Sequence, residues 1–373
     1  MNTVHPRKRR WPGRVLKVLG VIVGSCLGIV LILFGILVSW SPGKIDPYLD
    51  ESGEVLAGSV SEIARKEIGG VEQGMIIKGR DQQNPVLLFL HGGPGNPEYV
   101  LAKEASVGLE DSFTVCWWEQ RGSGMSYSSS IPAETVTLDQ MVSDTVEVAN
   151  YLRERFGRDK IYLMGHSWGT LLGVETVSQH PELFEAYIGI GQVSDQLESE
   201  KLGYAHMLAV AQADGDQEAV DKLLQHRLDG LESITPEYLM LRSDIMNQQG
   251  NGVYHIPRSK LSLLLPIFQA NEYTLSDKYG YAMGSLFSLK TPANDSIYTT
   301  DLRKTITALD VPVYIFHGVY DRQVSYDLAR DYFELLQAPG KRFYTFDNSA
   351  HSPFLEEPQK FMEIIKADVL GVT

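Results

Sequence analysis

Short apolar runs alternate with segments of helical periodicity over most of the chain. Residues 85–93, PVLLFLHGG, form an unbroken apolar run ending in glycines, which is typical of a central parallel strand. Residues 138–156 place apolar side chains on one helical face; Thr137 and Gln140 predict a capping box at the start, and Gly157 predicts the end. Strands that alternate with helices predict an α/β protein whose mostly parallel sheet is covered on both faces.

The same reasoning divides the rest of the chain into regions. Further strands are predicted at residues 113–122, 160–165, 185–191, 311–318 and 341–347, and further helices at 168–179 and 358–367. The alternation breaks between two strands, where the sequence is polar and mostly helical in pattern. We therefore predict a linker and start of the body at 41–73, a core made of 74–191 and 306–373, and an inserted helical cap, or lid, at 192–305.

The N-terminal region has a different pattern. Residues 1–17 are basic, and no charged residue occurs from Val18 to Gly43. Val18 to Val38 is a strongly apolar stretch of 21 residues, enough to cross a bilayer core of about 30 Å as a helix. We predict a transmembrane signal anchor at 18–40.

A cleaved signal is the alternative to an anchor. The sequence VSWSPGK after the apolar stretch has no small-residue cleavage site. VGSC at 23–26 resembles a lipoprotein box, but the apolar run continues well past Cys26. Because the basic residues flank only the N-terminal side, we predict a single-pass protein of the cell membrane with a cytoplasmic N-terminus and an extracellular catalytic domain.

Charge and cysteine content exclude several classes of function. Residues 1–40 contain six of the 33 Lys and Arg, which leaves 27 basic against 47 acidic side chains in the remainder, a balance of −20. So acidic a body is a poor nucleic-acid binder, and no nucleic-acid partner is predicted. The two cysteines, Cys26 and Cys116, cannot form a disulfide framework, and no His/Cys cluster has the spacing of a metal site.

The sequence LMGHSWGTLL at 163–172 carries the main chemical signal. Ser167 lies between Gly165 and Gly169, where a predicted strand turns into a predicted helix. G-x-S-x-G in this position is typical of a nucleophile elbow, a sharp turn that lifts the serine hydroxyl out of the core. A serine needs a base and a group that orients the base, so the motif predicts a catalytic triad.

The triad order Ser, acid, His along the chain selects the other two members. Among nine histidines, His351 is the one in a loop after the penultimate strand, in FDNSAHSPFLEEP. Asp321 directly follows the strand at 311–317 and is the predicted acid, with Asp347 as the runner-up. His317 at the end of that strand is interpreted as a packed turn residue.

An oxyanion intermediate needs two backbone donors. One is expected to be the N–H of Trp168, directly after the nucleophile. The other is expected from HGGPG at 91–95, where Gly93 is the predicted donor because glycine lets the backbone N–H turn toward the developing charge.

The chain resembles the proline iminopeptidase (prolyl aminopeptidase) family, which are serine peptidases of the α/β-hydrolase fold. The resemblance rests on five motifs that occur in this order: HGGPG, WWEQRGSGMS, GHSWGT, GVYD and SAHSPFLEEP. The resemblance covers roughly residues 74–370 and implies the α/β-hydrolase fold, the triad Ser167, Asp321 and His351, and the donors Gly93 and Trp168. It also implies that the insertion is a lid over the active site.

The chain departs from the family pattern at a few positions. Glu119 stands where the family usually has Asp, and NSAHS replaces the usual glycine before the histidine region. Proline-specific members commonly hold the substrate's amine with lid glutamates, one of them next to a tryptophan, whereas this lid contains no tryptophan. The acids it offers for an ammonium group are Glu198, Glu200, Glu232 and Glu272.

The sequence thus predicts a membrane-anchored serine hydrolase that needs no cofactor or metal. The favoured substrate is a small peptide, from which an aminopeptidase would release the N-terminal residue. An esterase, amidase or lactonase acting on another small acyl substrate is the alternative, and a non-catalytic binding module is a third. The sequence does not indicate an oligomeric state.

Overall fold

A computed structural model describes residues 13–372, so most of the basic segment predicted at 1–17 lies outside the described residues. Eight strands form one sheet. They are β1 (Val60–Ile68), β2 (Val71–Gly79), β3 (Val86–Leu90), β4 (Thr114–Trp118), β5 (Ile161–His166), β6 (Phe184–Ile190), β7 (Val313–Gly318) and β8 (Lys341–Phe346). Their order across the sheet is β1-β2-β4-β3-β5-β6-β7-β8. β1 and β2 pair antiparallel, β2 pairs antiparallel with β4, and the remaining neighbours are parallel.

The central strands are buried on both faces, as their unbroken apolar runs predict. All five residues of β3 are buried, and they alternate between two core clusters. Leu88 and Leu90 belong to one cluster, and Leu87 and Phe89 to the other. Helices that cover both faces remove these side chains from water, so the predicted fold class is confirmed.

The sheet begins earlier in the chain than the sequence pattern indicates. The segment 41–73, predicted as a linker and the start of the body, contains β1 and the first residues of β2. β1 is an edge strand, mostly half-buried or exposed, with charged residues such as Arg65 and Lys66 that blur its alternation. Gly69 and Gly70, both with positive φ, make the turn of this hairpin and are the signal that could have revealed it.

Helices occupy the remaining layers. They are α1 (Gly13–Ser39), α2 (Tyr99–Glu104), α3 (Leu138–Phe156), α4 (Trp168–Gln179), α5 (Gln196–Ala213), α6 (Gln217–Gln225), α7 (Pro236–Gln249), α8 (Lys260–Gln269), α9 (Leu275–Ser288), α10 (Pro292–Thr299), α11 (Leu302–Thr305), α12 (Tyr326–Leu335), α13 (Pro353–Glu356) and α14 (Pro358–Ile364). α3 has the predicted bounds, but its capping box is only half formed. Thr137 accepts the N–H of Gln140, whereas the Gln140 side chain donates to Asp144 at 2.8 Å because this buried carboxylate lies one turn away.

The inserted region is helical, as predicted, and comprises α5 to α11. A loop between α7 and α8 connects it to the sheet edge. Gly252 O accepts the N–H of His351 at 3.1 Å, and Asn251 O accepts the N–H of Arg322 at 3.0 Å. The cap therefore lies directly against the loops that follow β7 and β8.

Helix α1 is separate from both cores. It is long and apolar enough to cross a membrane, with a mean hydropathy of 3.0 in its most apolar stretch and no buried residue there. Trp40 and Ser41, which follow it, bond to the cap: Lys278 Nζ donates to Trp40 O at 2.6 Å and to Ser41 Oγ at 2.9 Å. Beyond this connection α1 exposes its apolar side chains.

Candidate active site

Ser167 occupies the turn between β5 and α4, where the sequence predicts the elbow. Its φ and ψ are 54° and −122°, a conformation that costs energy in any residue with a Cβ. The surrounding hydrogen bonds hold it there: its N–H donates to Ile190 O in β6 at 2.9 Å. The residue lies at the end of β5 and is 8% exposed, so it is almost enclosed.

The two glycines of the elbow are required by close backbone approach. A Cβ at Gly165 would lie 2.3 Å from Gly169 O, and a Cβ at Gly169 would lie 2.1 Å from Leu90 O. The helix after Ser167 therefore passes too close to β3 and β5 for any larger residue. This explains the G-x-S-x-G spacing in terms of packing.

The structure brings Asp321 and His351 together. Asp321 follows β7, His351 follows β8, and His351 Nδ1 donates to Asp321 Oδ2 at 2.7 Å. Burial opposes the charge of Asp321, but His351 and then His317 hold the pKa of this carboxyl well below its usual range. The runner-up Asp347 is a mostly exposed residue 3.9 Å from Lys360.

His317 has a larger part in the site than sequence reasoning gave it. Its Nε2 lies 2.9 Å from Asp321 Oδ2 and 3.1 Å from Val324 O. Asp321 Oδ1 accepts the backbone N–H groups of Gln323 and Val324. The carboxylate is thus fixed on both oxygens, which keeps it ionised and oriented toward His351.

The structure does not join Ser167 to His351 by a hydrogen bond. Within residues 13–372, His351 Nε2 is buried and has no hydrogen-bond partner. Burial lowers the pKa of His351, and Asp321 offsets this only in part, so the imidazole is neutral near pH 7. An unprotonated ring nitrogen without a partner is ready to accept a proton, and such catalytic bonds often shorten only when substrate binds.

The predicted oxyanion donors belong to two elements next to the serine. Trp168 is the first residue of α4, so its N–H has no partner within the helix. Gly93 lies in the HGGPG loop with φ 113°, and a Cβ on the adjacent Gly92 would lie 3.2 Å from Ser167 Cβ. The loop after β3 therefore passes directly beside Ser167, and the donor roles of Gly93 and Trp168 stay predictions.

Gln120 links these two elements, and sequence reasoning missed it. Its Nε2 donates to His91 O at 3.0 Å, its backbone N–H donates to His91 Nε2 at 3.1 Å, and its Oε1 accepts the Trp168 indole N–H at 3.0 Å. Burial lowers the pKa of His91 to about 4, so the ring is neutral and can accept this bond. One glutamine from the QRGSG segment thus joins the HGGPG loop to Trp168, the first residue of α4.

The cap helix α9 also holds the HGGPG loop. Ser288 Oγ donates to Pro94 O at 2.7 Å, and the Tyr281 hydroxyl donates to Pro97 O at 2.9 Å. The helix approaches closely through Gly280 and Gly284, where a Cβ would lie 2.3 Å from Gly124 O and 2.7 Å from Gly122 O. The spacing of these two glycines, four residues apart in a predicted helical region, is the sequence signal that could have revealed this close packing.

Glu98, three residues after the HGGPG loop, is a second residue that sequence reasoning missed. Its Oε1 lies 2.5 Å from His166 Nδ1, and His166 Nε2 lies 3.1 Å from His351 O. Both ring nitrogens of His166 therefore have a hydrogen-bond partner. Burial alone would lower the pKa of His166, but Glu98 raises it above its ordinary value. The other oxygen, Glu98 Oε2, is buried and has no partner among the described residues.

Glu119, which stands where the family usually has Asp, is buried and accepts two hydrogen bonds. Tyr273 donates its hydroxyl to Oε1 and Met125 donates its N–H to Oε2, each at 2.5 Å. Burial raises the pKa of this carboxyl to about 7, and these two donors offset the rise in part. Glu119 therefore connects β4 with the cap.

The four lid glutamates have unlike surroundings. Glu200 is fully buried and bonded to Arg242, Tyr238 and Gln196. Glu272 is buried and accepts from Lys103 at 2.7 Å. Glu198 is half-buried, 3.3 Å from Lys201, and Glu232 is exposed. A role for any of them in amine binding stays a prediction. Glu272 Oε2, like Glu98 Oε2, is buried and has no hydrogen-bond partner among the described residues.

Comparisons with known proteins identify the fold and the family of the chain. A model of the α/β-hydrolase fold matches residues 85–227, so the fold and the elbow define an α/β-hydrolase. The probable aminopeptidase YbaC of Bacillus subtilis (strain 168) is 33% identical over 305 residues, covering 81% of this chain and 94% of that protein. The chain belongs to the proline iminopeptidase family of α/β-hydrolases, as its motifs indicated.

Two further relatives extend the match. A proline iminopeptidase of Saccharolobus solfataricus is 27% identical over 296 residues, covering 78% of this chain and 85% of that protein. The crystal structure of a proline iminopeptidase from Mycobacterium smegmatis aligns with a TM-score of 0.59 at 18% identity, covering 82% of this chain and 96% of the other. The latter similarity shows the fold alone.

Proposed function

We propose that this protein is a membrane-anchored serine aminopeptidase that releases N-terminal residues from peptides. The observation that carries the proposal is the 2.7 Å pair of Asp321 and His351 at the same sheet edge as the positive-φ Ser167. The relatives named as aminopeptidases support peptides over other acyl substrates.

In the proposed mechanism, His351 Nε2 takes the proton of Ser167 as Oγ attacks the carbonyl carbon. Asp321 holds the imidazole in the tautomer with Nδ1–H and stabilises the cation that forms. His351 then gives the proton to the leaving amine, and water releases the acyl group by the same steps in reverse. The Gly93 and Trp168 N–H groups bind the oxyanion; the loss of one such donor costs roughly 3 kcal/mol in other serine hydrolases.

Amine recognition is the step that separates an aminopeptidase from a general hydrolase. We propose Glu98, rather than a lid glutamate, as the acceptor of the substrate's α-ammonium group. Glu98 lies beside Gly92 and the nucleophile, and its Oε2 is a buried oxygen without a donor. A buried carboxylate oxygen is costly to leave unbonded, and an ammonium group supplies the missing donor.

Helix α1 is proposed to anchor the enzyme in the cell membrane. Its apolar, exposed surface favours a bilayer as surroundings, and Arg14 and Lys17 at its N-terminal end favour a cytoplasmic start. The catalytic body then lies on the outer side. Protease added to intact cells should reach the body, and detection of the full-length protein in the cytosol would refute the anchor.

A substrate panel tests the proposed activity. The full-length enzyme in detergent is assayed against aminoacyl-arylamides, Pro-arylamide among them, and against short-chain aryl esters. We expect turnover of the arylamides that depends on Ser167. Turnover of esters alone would favour the alternative, an esterase, amidase or lactonase with the same triad.

A further inference from the structure

Helix α8 in the cap presents its apolar side chains to the outside. Leu261 is 69% exposed and Phe268 is 42% exposed, although both are large apolar residues. The opposite side of the helix is its packed side, since Ile267 is buried in the core cluster that also contains Tyr99 and Val100. The helix therefore has two apolar sides, one packed against the core and one open to the outside.

We name the exposed apolar residues of α8, together with the exposed Ile256 of the loop before it, the α8 face. It consists of Ile256, Leu261, Leu264, Leu265 and Phe268. The last four are spaced by three, one and three residues, which places them on one side of a helix. A contiguous exposed apolar surface of this kind marks an interface in a soluble domain.

The α8 face is adjacent to the point where the anchor helix ends. Lys278 Nζ donates to Phe268 O, the penultimate residue of α8, at 2.7 Å. The same ammonium donates to Trp40 O at 2.6 Å and to Ser41 Oγ at 2.9 Å. Lys44 N–H donates to Asn271 O at 2.8 Å, a second link between the two segments. The end of α8 and the end of α1 therefore share one cation.

The charge around this face differs from the charge of the body. Residues 253–271 contain no Asp or Glu, while the chain after residue 40 has 47 acidic and 27 basic side chains. Arg258 and Lys260 border the face, and Lys260 bonds to Asp244 at 2.6 Å. An apolar helical segment that contains basic but no acidic residues is typical of helices that lie in a membrane interface.

We propose that the α8 face docks on the lipid bilayer, in the leaflet from which α1 emerges. The proposal rests on the proposed anchor, because α1 is what brings the α8 face to the lipid surface. The argument for lipid rather than a second copy of the chain is continuity with α1: Lys278 holds both helix ends together, so a bilayer spanned by α1 reaches α8.

Docking would also fix the active-site cap relative to the membrane. The loop that precedes α8 carries Gly252, whose carbonyl accepts the N–H of His351. The membrane-bound helix is thus only a few residues from the loop that holds the catalytic base.

The test uses the full chain in vesicles and an environment-sensitive nitrobenzoxadiazole label on cysteine. Native Cys26 is exposed on α1, while Cys116 is buried, so the unchanged protein reports on the anchor. Leu264→Cys in a Cys26→Ser background reports on the α8 face, and Leu261→Cys is the second reporter should the first variant fold poorly. Leu224→Cys on α6 is the matched control, a 55% exposed leucine of the same cap.

Vesicles of phosphatidylcholine and phosphatidylglycerol, with or without brominated acyl chains, supply the quencher. We expect brominated lipid to quench the label at Cys26 and at position 264. The quenching at position 264 should be at least half as strong as at Cys26, and the label at position 224 should be quenched little. Quenching at Cys26 without quenching at 264 would overturn docking while the anchor stands. Blue-shifted emission at 264 without quenching would indicate a second protein copy and overturn it too. Absence of quenching at Cys26 would refute the anchor and the docking with it.

Discussion

The catalytic edge of the sheet and the cap above it are built by different kinds of constraint. At the edge, close backbone approach requires Gly165 and Gly169, and Ser167 between them has a positive φ. These local constraints produce a motif that can be recognised in the sequence. In the cap, Glu200 and Glu232 look alike in sequence, yet one is buried against Arg242 and the other is exposed. Turn geometry is thus encoded locally, whereas the role of a helical side chain depends on distant partners.

The largest effect is expected at the nucleophile. Ser167→Ala should lower kcat by roughly 10⁴- to 10⁶-fold, because covalent catalysis is lost while the oxyanion site remains. Labelling by a fluorophosphonate should disappear with it, as measured by mass spectrometry of the modified peptide. Labelling that persists at another residue would show that the edge is not the catalytic region.

Replacement of the acid should be nearly as severe and tests the pairing directly. Asp321→Asn should lower kcat by roughly 10⁴-fold, because an amide no longer holds His351 in the right tautomer. Asp347→Asn is the matched control, a mostly exposed residue that should leave kcat unchanged. Equal losses in the two variants would contradict the assignment of Asp321.

Gln120 sharpens the comparison because it lies at the edge without being a triad member. Gln120→Leu should lower kcat by roughly 10- to 100-fold, with a small change in KM, because the loop of Gly93 and the Trp168 side chain lose their shared support. Gln140→Leu on α3 serves as the control. A loss confined to KM, or a loss explained by unfolding in circular dichroism, would assign Gln120 to binding or stability instead.

The acid limb of the pH profile gives the smallest effect, about tenfold per pH unit below the pKa. Burial lowers the pKa of His351 below the ordinary value of about 6.5. The neutral base is therefore expected to persist at pH 6.5, and kcat/KM should fall only as pH drops through the lower value. An acid limb with its midpoint above 6.5 would contradict the buried environment of this histidine.

Much of this fold and site could be predicted from the sequence, for reasons visible in particular residues. The buried strands are continuous apolar runs, and Asp321 and His351 each follow a strand, so their loops meet at one sheet edge. β1 was missed because an edge strand tolerates Arg65 and Lys66. Gln120 and Glu98 were missed because their roles come from hydrogen bonds to His91 and His166, which no local pattern indicates.

The exposure of the α8 face likewise could not be predicted from the sequence. The sequence KLSLLLPIFQ is equally compatible with a buried cap helix, and only the packing of Ile267 and the position of Lys278 show which side is open. Long-range contacts thus decide both where the cap meets the catalytic edge and where it meets its surroundings.

The central claim is that Glu98 at the catalytic edge, and not an acid of the cap, recognises the substrate's free amine. The most direct measurement is kcat/KM for free and N-acetylated aminoacyl-arylamides in the wild type, Glu98→Gln and the control Glu198→Gln. We expect the wild type and Glu198→Gln to prefer the free amine. In Glu98→Gln, kcat/KM for the free substrate should fall roughly 10- to 100-fold, because a charge-assisted hydrogen bond is lost. The rate of fluorophosphonate labelling at Ser167 should stay the same in this variant. An unchanged preference in Glu98→Gln, or equal cleavage of both substrates by the wild type, would contradict the account.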